Sequence, residues 1–338
     1  MALEPITPEE ALDLYLTDRR NELARSTIYA HSSRLGHFVR WCSEEAKENL
    51  NELSGRDLHR YRLWRRVEGD LAPATEKAQM DTLRVFIRWC ESIDAVPVDL
   101  SVKVVSPTLS DDERSRDEML DAEVAEAISE QLSQYEFASA RHVCFLLMWH
   151  GLLRRGAVRA LDLDDYDSEE MALEVRHRSE TGTPIKNKHR GERHVALSPE
   201  VCVVLDAWIA DRRPDVTDEH DRVPLLATTH GRAHLTTIQS YVYSTTRPCE
   251  YTRECPHHRS ISSCDGAEMR SAAHGCPSSV SLHCIRRGAI THWLSSDVPD
   301  SVVSERANVS IGVIEQHYVR RTQRKKTERR SRYPLKYR

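Results

Sequence analysis

The sequence predicts a mainly α-helical protein with one small β-sheet, arranged as two domains. Three observations carry that expectation. Apolar residues recur at helical spacing through the first hundred residues. The pattern then lapses over 95–116 into Val, Pro, Ser and Asp, as in a linker. Beyond it helical signals resume, interrupted by β-compatible stretches at 171–177 and 194–197 that the turn-like Thr181-Gly182-Thr183-Pro184 separates. The expected layout is a helical domain at 1–100, a linker at 101–116 and a second domain at 117–338, which carries a Cys/His-rich insertion at 248–277.

Each element has a local reason. Thr7-Pro8-Glu9-Glu10 has a capping-box pattern with proline at the first helical position, followed by Leu12, Tyr15 and Leu16 on one face. A second helix carries Ile28, Leu35, Phe38, Val39 and Cys42. In the third, Ser54 is the cap, Asp57 reaches back to it, and Leu53 staples onto Leu58. The fourth follows Pro73 with the stripe Met80, Leu83, Ile87 and Cys90. Together these make a compact bundle. In the second domain Asp121 caps a helix through Leu132, and another runs over 138–150. Ser198-Pro199-Glu200 opens a helix with Val201, Val204, Leu205 and Trp208 inward. Further helices are expected at 236–246, 284–295, 300–307 and 311–325. There is no internal repeat.

Composition narrows the function classes. A chain of 338 residues suffices for about two domains and needs no disulfide staples. Glycine (12) and proline (14) are too sparse for a fibrous or wholly disordered protein. No run of eighteen apolar residues occurs, and the opening MALEPITPEE lacks the basic and apolar regions of a signal peptide, so a cytoplasmic protein is expected. The net charge of −5 hides a segment after Tyr318 with ten Arg or Lys against Glu328, a local +9 that leaves −14 for the rest. Binding to nucleic acid is decided by such local patches, not by the total. Only eight of the 48 basic residues are lysine, and arginine suits bidentate phosphate contacts.

Four segments carry chemistry. The first is Trp149-His150-Gly151-Leu152-Leu153-Arg154-Arg155-Gly156-Ala157-Val158-Arg159-Ala160-Leu161-Asp162. The second is Thr183-Pro184-Ile185-Lys186-Asn187-Lys188 with Gly191-Glu192-Arg193-His194-Val195-Ala196-Leu197. The third is Ser281-Leu282-His283-Cys284-Ile285-Arg286 and the helix after it, and the fourth is Ile314-Glu315-Gln316-His317-Tyr318. In this order they resemble the first arginine box, the lysine-bearing β-hairpin, the His-x-x-Arg box and the nucleophile segment of the tyrosine recombinases, the phage-integrase and Xer family. The N-terminal bundle is similar to that family's core-binding domain, so the resemblance spans nearly the whole chain.

The resemblance implies a site-specific recombinase or integrase that cuts and rejoins double-stranded DNA through a 3′-phosphotyrosyl intermediate, acting as a tetramer on two DNA sites. It gives Tyr318 as nucleophile, Arg154 and Arg286 as the phosphate clamp, His283 as a proton-handling group, and Lys186 or Lys188 as the acid that protonates the leaving oxygen. Counting back from Arg193 favours Lys188, whereas the Pro-Ile-Lys-Asn turn favours Lys186. The physical chemistry agrees: planar guanidinium forks match two phosphate oxygens, and the developing charge needs cations at that place. No metal or other cofactor is needed for such catalysis. Tyr15, Tyr61, Tyr241 and Tyr243 read as helix-packing residues.

Departures from the pattern keep other functions in view. Leu152 stands where the family has glycine, Ala157 where it has glutamate, and Val309 where a His or Trp is expected before the tyrosine. The alternatives are a catalytically silent DNA-binding protein of the same fold and a topoisomerase-like relaxing enzyme.

Cys249, Cys255, Cys264 and Cys276 fall within 28 residues, with His257, His258 and His274 interspersed. Four soft ligands in a polar insertion suit a structural zinc, with His257 able to replace one cysteine. None of the gaps has the two-to-four-residue knuckle spacing, so a flexible loop with reduced thiols is the competing reading. Cys42, Cys90, Cys144, Cys202 and Cys284 read as small core residues.

Overall fold

The computed structural model describes residues 3–110 and 118–318, the last three of them by backbone alone. The chain divides into two compact units, Met1–Asp117 and Glu118–Arg338.

The first unit contains α1 (Pro8–Arg19), α2 (Arg25–Glu44), α3 (Gly55–Gly69) and α4 (Pro73–Ser92). Thr7 accepts the Glu10 N–H at the head of α1. Ser54 and Asp57 form the reciprocal capping box on α3, each accepting the other's backbone N–H, at 3.4 and 3.0 Å. The expected stripes face inward, and aromatic rings dominate what they enclose. Tyr15, Phe38, Trp41, Tyr61 and Phe86 are all buried. Phe38 meets Tyr61 edge-on at 5.2 Å, and Tyr15 meets Phe86 edge-on at 5.4 Å.

The segment 95–104 behaves differently from the linker its sequence suggested. Ala95, Val96, Leu100 and Val104 are buried in the first unit's core, and Arg84 clasps the Val104 carbonyl through Nε and Nη2 at 3.2 and 2.7 Å. Packing here is by isolated apolar residues around the short 3₁₀ turn Ser101–Lys103, which has no period to read. Of the rest of the expected linker, 105–110 is described and 111–116 lies outside the described residues.

The second unit begins with α5 (Ala122–Tyr135), α6 (Ala140–Trp149) and α7 (Arg155–Ala160). A three-stranded antiparallel sheet follows in the order β1 (Tyr166–Asp167), β2 (Ala172–Val175), β3 (Arg193–Ala196), with Leu173 opposite Val195 and Glu174 opposite His194. Next come α8 (Pro199–Ala207), the hairpin β4 (Ala227–Thr228) and β5 (Gly231–Arg232), and α9 (Leu235–Thr245). The insertion then runs in short turns, and α10 (Leu282–Ser295), α11 (Asp300–Ala307) and α12 (Ile311–Tyr318) close the described fold. Asp121 and Ser198 occupy their N-cap positions with extended backbone but accept no side-chain cap bond. The β4–β5 hairpin was not foreseen, because two-residue strands show no alternation. The expected continuation of the last helix to 325 lies outside the described residues.

Buried charge orders the middle of this unit. Asp162 pairs with Arg222 and Arg232, and Asp165 takes a bidentate grip from Arg178 at 2.6 and 2.8 Å. Several arginines are thus committed to internal ion pairs. α10 lies hard against the strand of chain before α5: Leu120 N–H donates to the Cys284 carbonyl, and a Cβ at Gly288 would stand 2.0 Å from the Leu120 oxygen. Only glycine permits that approach.

Candidate active site

Arg154 sits at the N-cap of α7 with extended backbone, φ −76° and ψ 153°. Two residues earlier, Leu152 adopts φ 52° and is fully buried. The left-handed conformation costs a non-glycine residue about 1–2 kcal/mol, whereas burying a leucine side chain returns about 1.5–3 kcal/mol. Burial wins, so leucine is tolerated at a turn where glycine would be unstrained. The turn points the Leu152 carbonyl at α10, where it accepts from Arg286 Nη1.

α10 starts behind Ser281 and places His283 and Arg286 one turn apart on one face. Arg286 is 3 % exposed. Its second Nη donates to the Ala307 carbonyl. Arg154 gives both Nη groups to the Asn308 carbonyl, at 3.2 Å each. On β3, Arg193 donates through Nε to the Arg306 carbonyl at 2.7 Å and through Nη1 to the Gly191 carbonyl at 2.8 Å.

Three consecutive carbonyls, those of 306, 307 and 308, therefore receive three arginines from three distant segments. They are the end of α11. The last carbonyls of a helix have no partner within it, and the negative end of its dipole favours cations. Asn308 completes the arrangement as a left-handed cap, φ 48° and ψ 57°, which turns its own carbonyl toward Arg154. The cations crowd one another. Burial, then repulsion from Arg154 and Arg306, pushes Arg193 down to about 10. Burial likewise pushes Arg306 down to about 10, and that side chain donates to the His150 carbonyl at 2.8 and 3.2 Å while lying 4.5 Å over the Trp293 ring.

Arg154, His283 and Arg286 line one cleft of about 350 Å³, together with Arg155, Gln239 and Tyr243. Gln239 and Tyr243 come from α9 and are new to the site; Arg155 Nη1 donates to Gln239 Oε1 at 3.3 Å. Tyr243 thus faces the cleft, whereas Tyr15, Tyr61 and Tyr241 are core residues as their spacing suggested. Nothing in a helical pattern separates a cleft-lining position on α9 from an ordinary half-buried one.

Lys186 and Lys188 are both exposed, on the turn that joins β2 to β3, and neither lines the cleft. Asn187 and Lys188 have φ 72° and 52°. The turn is connected to the site through Asn308, whose amide Nδ2 donates to the Lys186 carbonyl at 3.4 Å. Tyr318 ends α12, which the fully buried Ile314 anchors; the Tyr318 side chain and the basic tail lie outside the described residues. Val309 is half-buried against the core, so no imidazole or indole is supplied at that position. Ala157 is 5 % exposed and packs where a carboxylate was the pattern.

The cysteine insertion does not take the shape expected of a zinc site. All four thiols are free and partly buried, and among the described residues no three His, Cys, Asp or Glu side chains converge to hold a metal ion. Cys249 lies beside Arg247, 4.0 Å away, and His257 is hydrogen-bonded to Ser278 Oγ. Backbone N–H groups of Ala267 and Gly266, with Arg259, hold the Cys264 thiol below its ordinary value. As placed, these residues do not fit the ion, and no chemistry is assigned to it.

No protein-family model matches the chain, and no curated protein does. Solved structures do. The integrase of transposon Tn1549, in complex with a circular intermediate DNA, aligns over 96 % of this chain and 99 % of its own at 13 % identity and a TM-score of 0.69. A lambda integrase dimer bound to a COC′ core site aligns over 95 % of this chain and 79 % of its own at 13 % identity and a TM-score of 0.62. The N-terminal domain of a phage integrase/site-specific recombinase from Haloarcula marismortui is 36 % identical over 31 % of this chain and 99 % of its own, with a TM-score of 0.30. No helix among the described residues is long and apolar enough to cross a membrane.

Proposed function

We propose that this chain, which has the fold of the tyrosine recombinases, is a DNA strand-transferase that cuts and rejoins duplex DNA at a specific site. One observation carries the reading. Arg154, His283 and Arg286, brought from segments more than a hundred residues apart, meet in one cleft with Arg193 close behind. Guanidiniums gathered at one cleft suit a phosphodiester, whose paired nonbridging oxygens match their planar forks.

In the reaction Tyr318 Oη attacks the scissile phosphorus and gives up its proton, with His283 at hand to take or relay it. The P–O5′ bond breaks, its electron pair goes to O5′, and a lysine of the 186–188 turn protonates that oxygen. The products are a 3′-phosphotyrosine and a free 5′-hydroxyl. Attack by a second strand's 5′-hydroxyl reverses the step, so no external energy source is consumed. Arg154 and Arg286 hold the nonbridging oxygens as charge builds on them. Contacts to the phosphate backbone supply affinity without reading sequence. Four protomers on two duplexes complete the exchange, and the cytoplasm is the compartment in which it takes place.

A second reading has its own observation. Val309 leaves one hydrogen-bond position on the phosphate without an imidazole or indole, as in a silent DNA-binding protein of this fold. A nicked duplex that loses its 5′ fragment on cleavage separates the two. The strand-transferase traps itself as an adduct that survives denaturation, and Tyr318→Phe abolishes the adduct while retaining DNA affinity. Binding without any adduct from the wild-type chain identifies the silent protein; an adduct persisting in Tyr318→Phe removes that tyrosine as nucleophile.

A further inference from the structure

The two faces of Asn308 serve different segments. Its carbonyl takes both Nη groups of Arg154. Its side chain turns toward the lysine-bearing turn, where Oδ1 accepts from Asn187 Nδ2 at 3.1 Å and Nδ2 donates to the Lys186 carbonyl at 3.4 Å. Asn187 stands between the two candidate lysines and is itself left-handed. The far end of the turn is shaped to the same amide: a Cβ at Gly191 would stand 2.8 Å from Asn308 Nδ2 and 2.3 Å from the Lys186 oxygen.

Ending α11 requires only the left-handed backbone, which glycine adopts most freely. The carboxamide is surplus to that task. What it adds is a clip between two parts that must act on one phosphate. Lys186 and Lys188 are exposed and long, and ordering such a side chain at a reacting atom is entropically costly. Fixing the turn beneath them shortens the search, and misplacement by about 1 Å at a reacting centre costs up to ~100-fold in rate.

We propose that Asn308 is a positioning residue, whose carboxamide registers the Lys186–Lys188 turn on the Arg154–Arg286 clamp so that a lysine reaches the leaving oxygen. The inference rests on the strand-transfer reading above. It assigns Asn308 to the protonation of the leaving group, while the carbonyl of the same residue serves the clamp.

Asn308→Gly keeps the left-handed backbone and the carbonyl and removes the clip alone. Its single-turnover cleavage is compared with wild type on a nicked duplex selected from a randomised pool by the full chain. The same duplex is then made with sulfur in place of the bridging 5′ oxygen at the mapped cleavage position, because a thiolate leaves without a proton. The expected result is slowing of about 10- to 100-fold on the oxygen duplex and recovery of the wild-type rate on the sulfur duplex. Arg154→Ala stays slow on both. Equal slowing of Asn308→Gly on both duplexes, or none on the oxygen duplex, overturns the proposal. Hydrogen exchange of the intact chain tests the clip without any DNA chemistry: amides of 186–191 exchange faster in Asn308→Gly, and unchanged exchange overturns the tether. A wild-type chain that forms no adduct on either duplex removes the strand-transfer reading instead, whatever the exchange result.

Discussion

The first unit is closed by rings and the site of the second by cations on carbonyls. In the first, Phe38, Trp41 and Tyr61 pack ring to ring at 5.2–6.1 Å, and their contribution is apolar area removed from water. In the second, Arg154, Arg193 and Arg286 each spend donors on the end of one short helix. The ring cluster stabilises and presents no chemistry. The cation cluster costs stability, since burial and mutual repulsion both disfavour Arg193 there. Stability and function are thus separable by mutation.

The largest effect tests the ring cluster. Phe38→Ala leaves a cavity in a fully buried site and lowers the first unit's stability by about 3–5 kcal/mol in denaturant unfolding. Under native conditions the surviving folded fraction still cleaves, because the residue touches nothing in the cleft. A loss below 1 kcal/mol would mean that the ring cluster is not what holds this unit.

Arg286→Ala and Arg154→Ala test the other side. Each removes about 2.7–4 kcal/mol of transition-state stabilisation, on the order of 10²–10³ in cleavage rate, by analogy with the loss of an oxyanion donor. Thermal unfolding changes less than in Phe38→Ala. Near-wild-type cleavage with a large stability loss would reclassify the arginine as structural and erase the contrast between the units.

Acid offers a third test, on the second unit. Burial pushes the His142 imidazole in α6 down to about 4. Between that value and the ordinary histidine value near 6.5 the unfolded chain binds a proton that the folded chain refuses, so stability falls as pH drops through this window. The second unit loses about 2–3 kcal/mol by pH 4 from this group, and His142→Gln flattens the slope, as read from urea unfolding at a series of pH values. A slope unchanged in the variant would place the acid sensitivity elsewhere.

The smallest expected effect returns to the first unit. Ser54→Ala removes one side of the α3 capping box and costs about 1 kcal/mol, visible as a shifted urea midpoint with an unchanged slope.

How much was legible follows the same division. Thr7, Ser54 and Asp57 announced their helices because a cap is decided within three or four residues of chain. The stripe Met80, Leu83, Ile87 and Cys90 announced its buried face because helical geometry repeats every 3.6 residues. The His283–Arg286 pair was legible for the same reason, and the four-segment order pointed to the fold. The core packing of 95–104 and the cleft positions of Gln239 and Tyr243 were not, since each depends on a contact with another element, and the β4–β5 hairpin was not, because its two-residue strands show no alternation.

The sequence by itself determined the long helices, the β2 and β3 strands, the fold class and the candidate residues for a phosphate. Only the tertiary structure decided how those residues are held: Arg193, Arg286 and Arg154 on the carbonyls of 306, 307 and 308, and the lysine turn on the Asn308 side chain. The reason is physical. A main-chain carbonyl is the same group at every residue, so no letter of the sequence marks the ones that a fold will aim at a distant arginine.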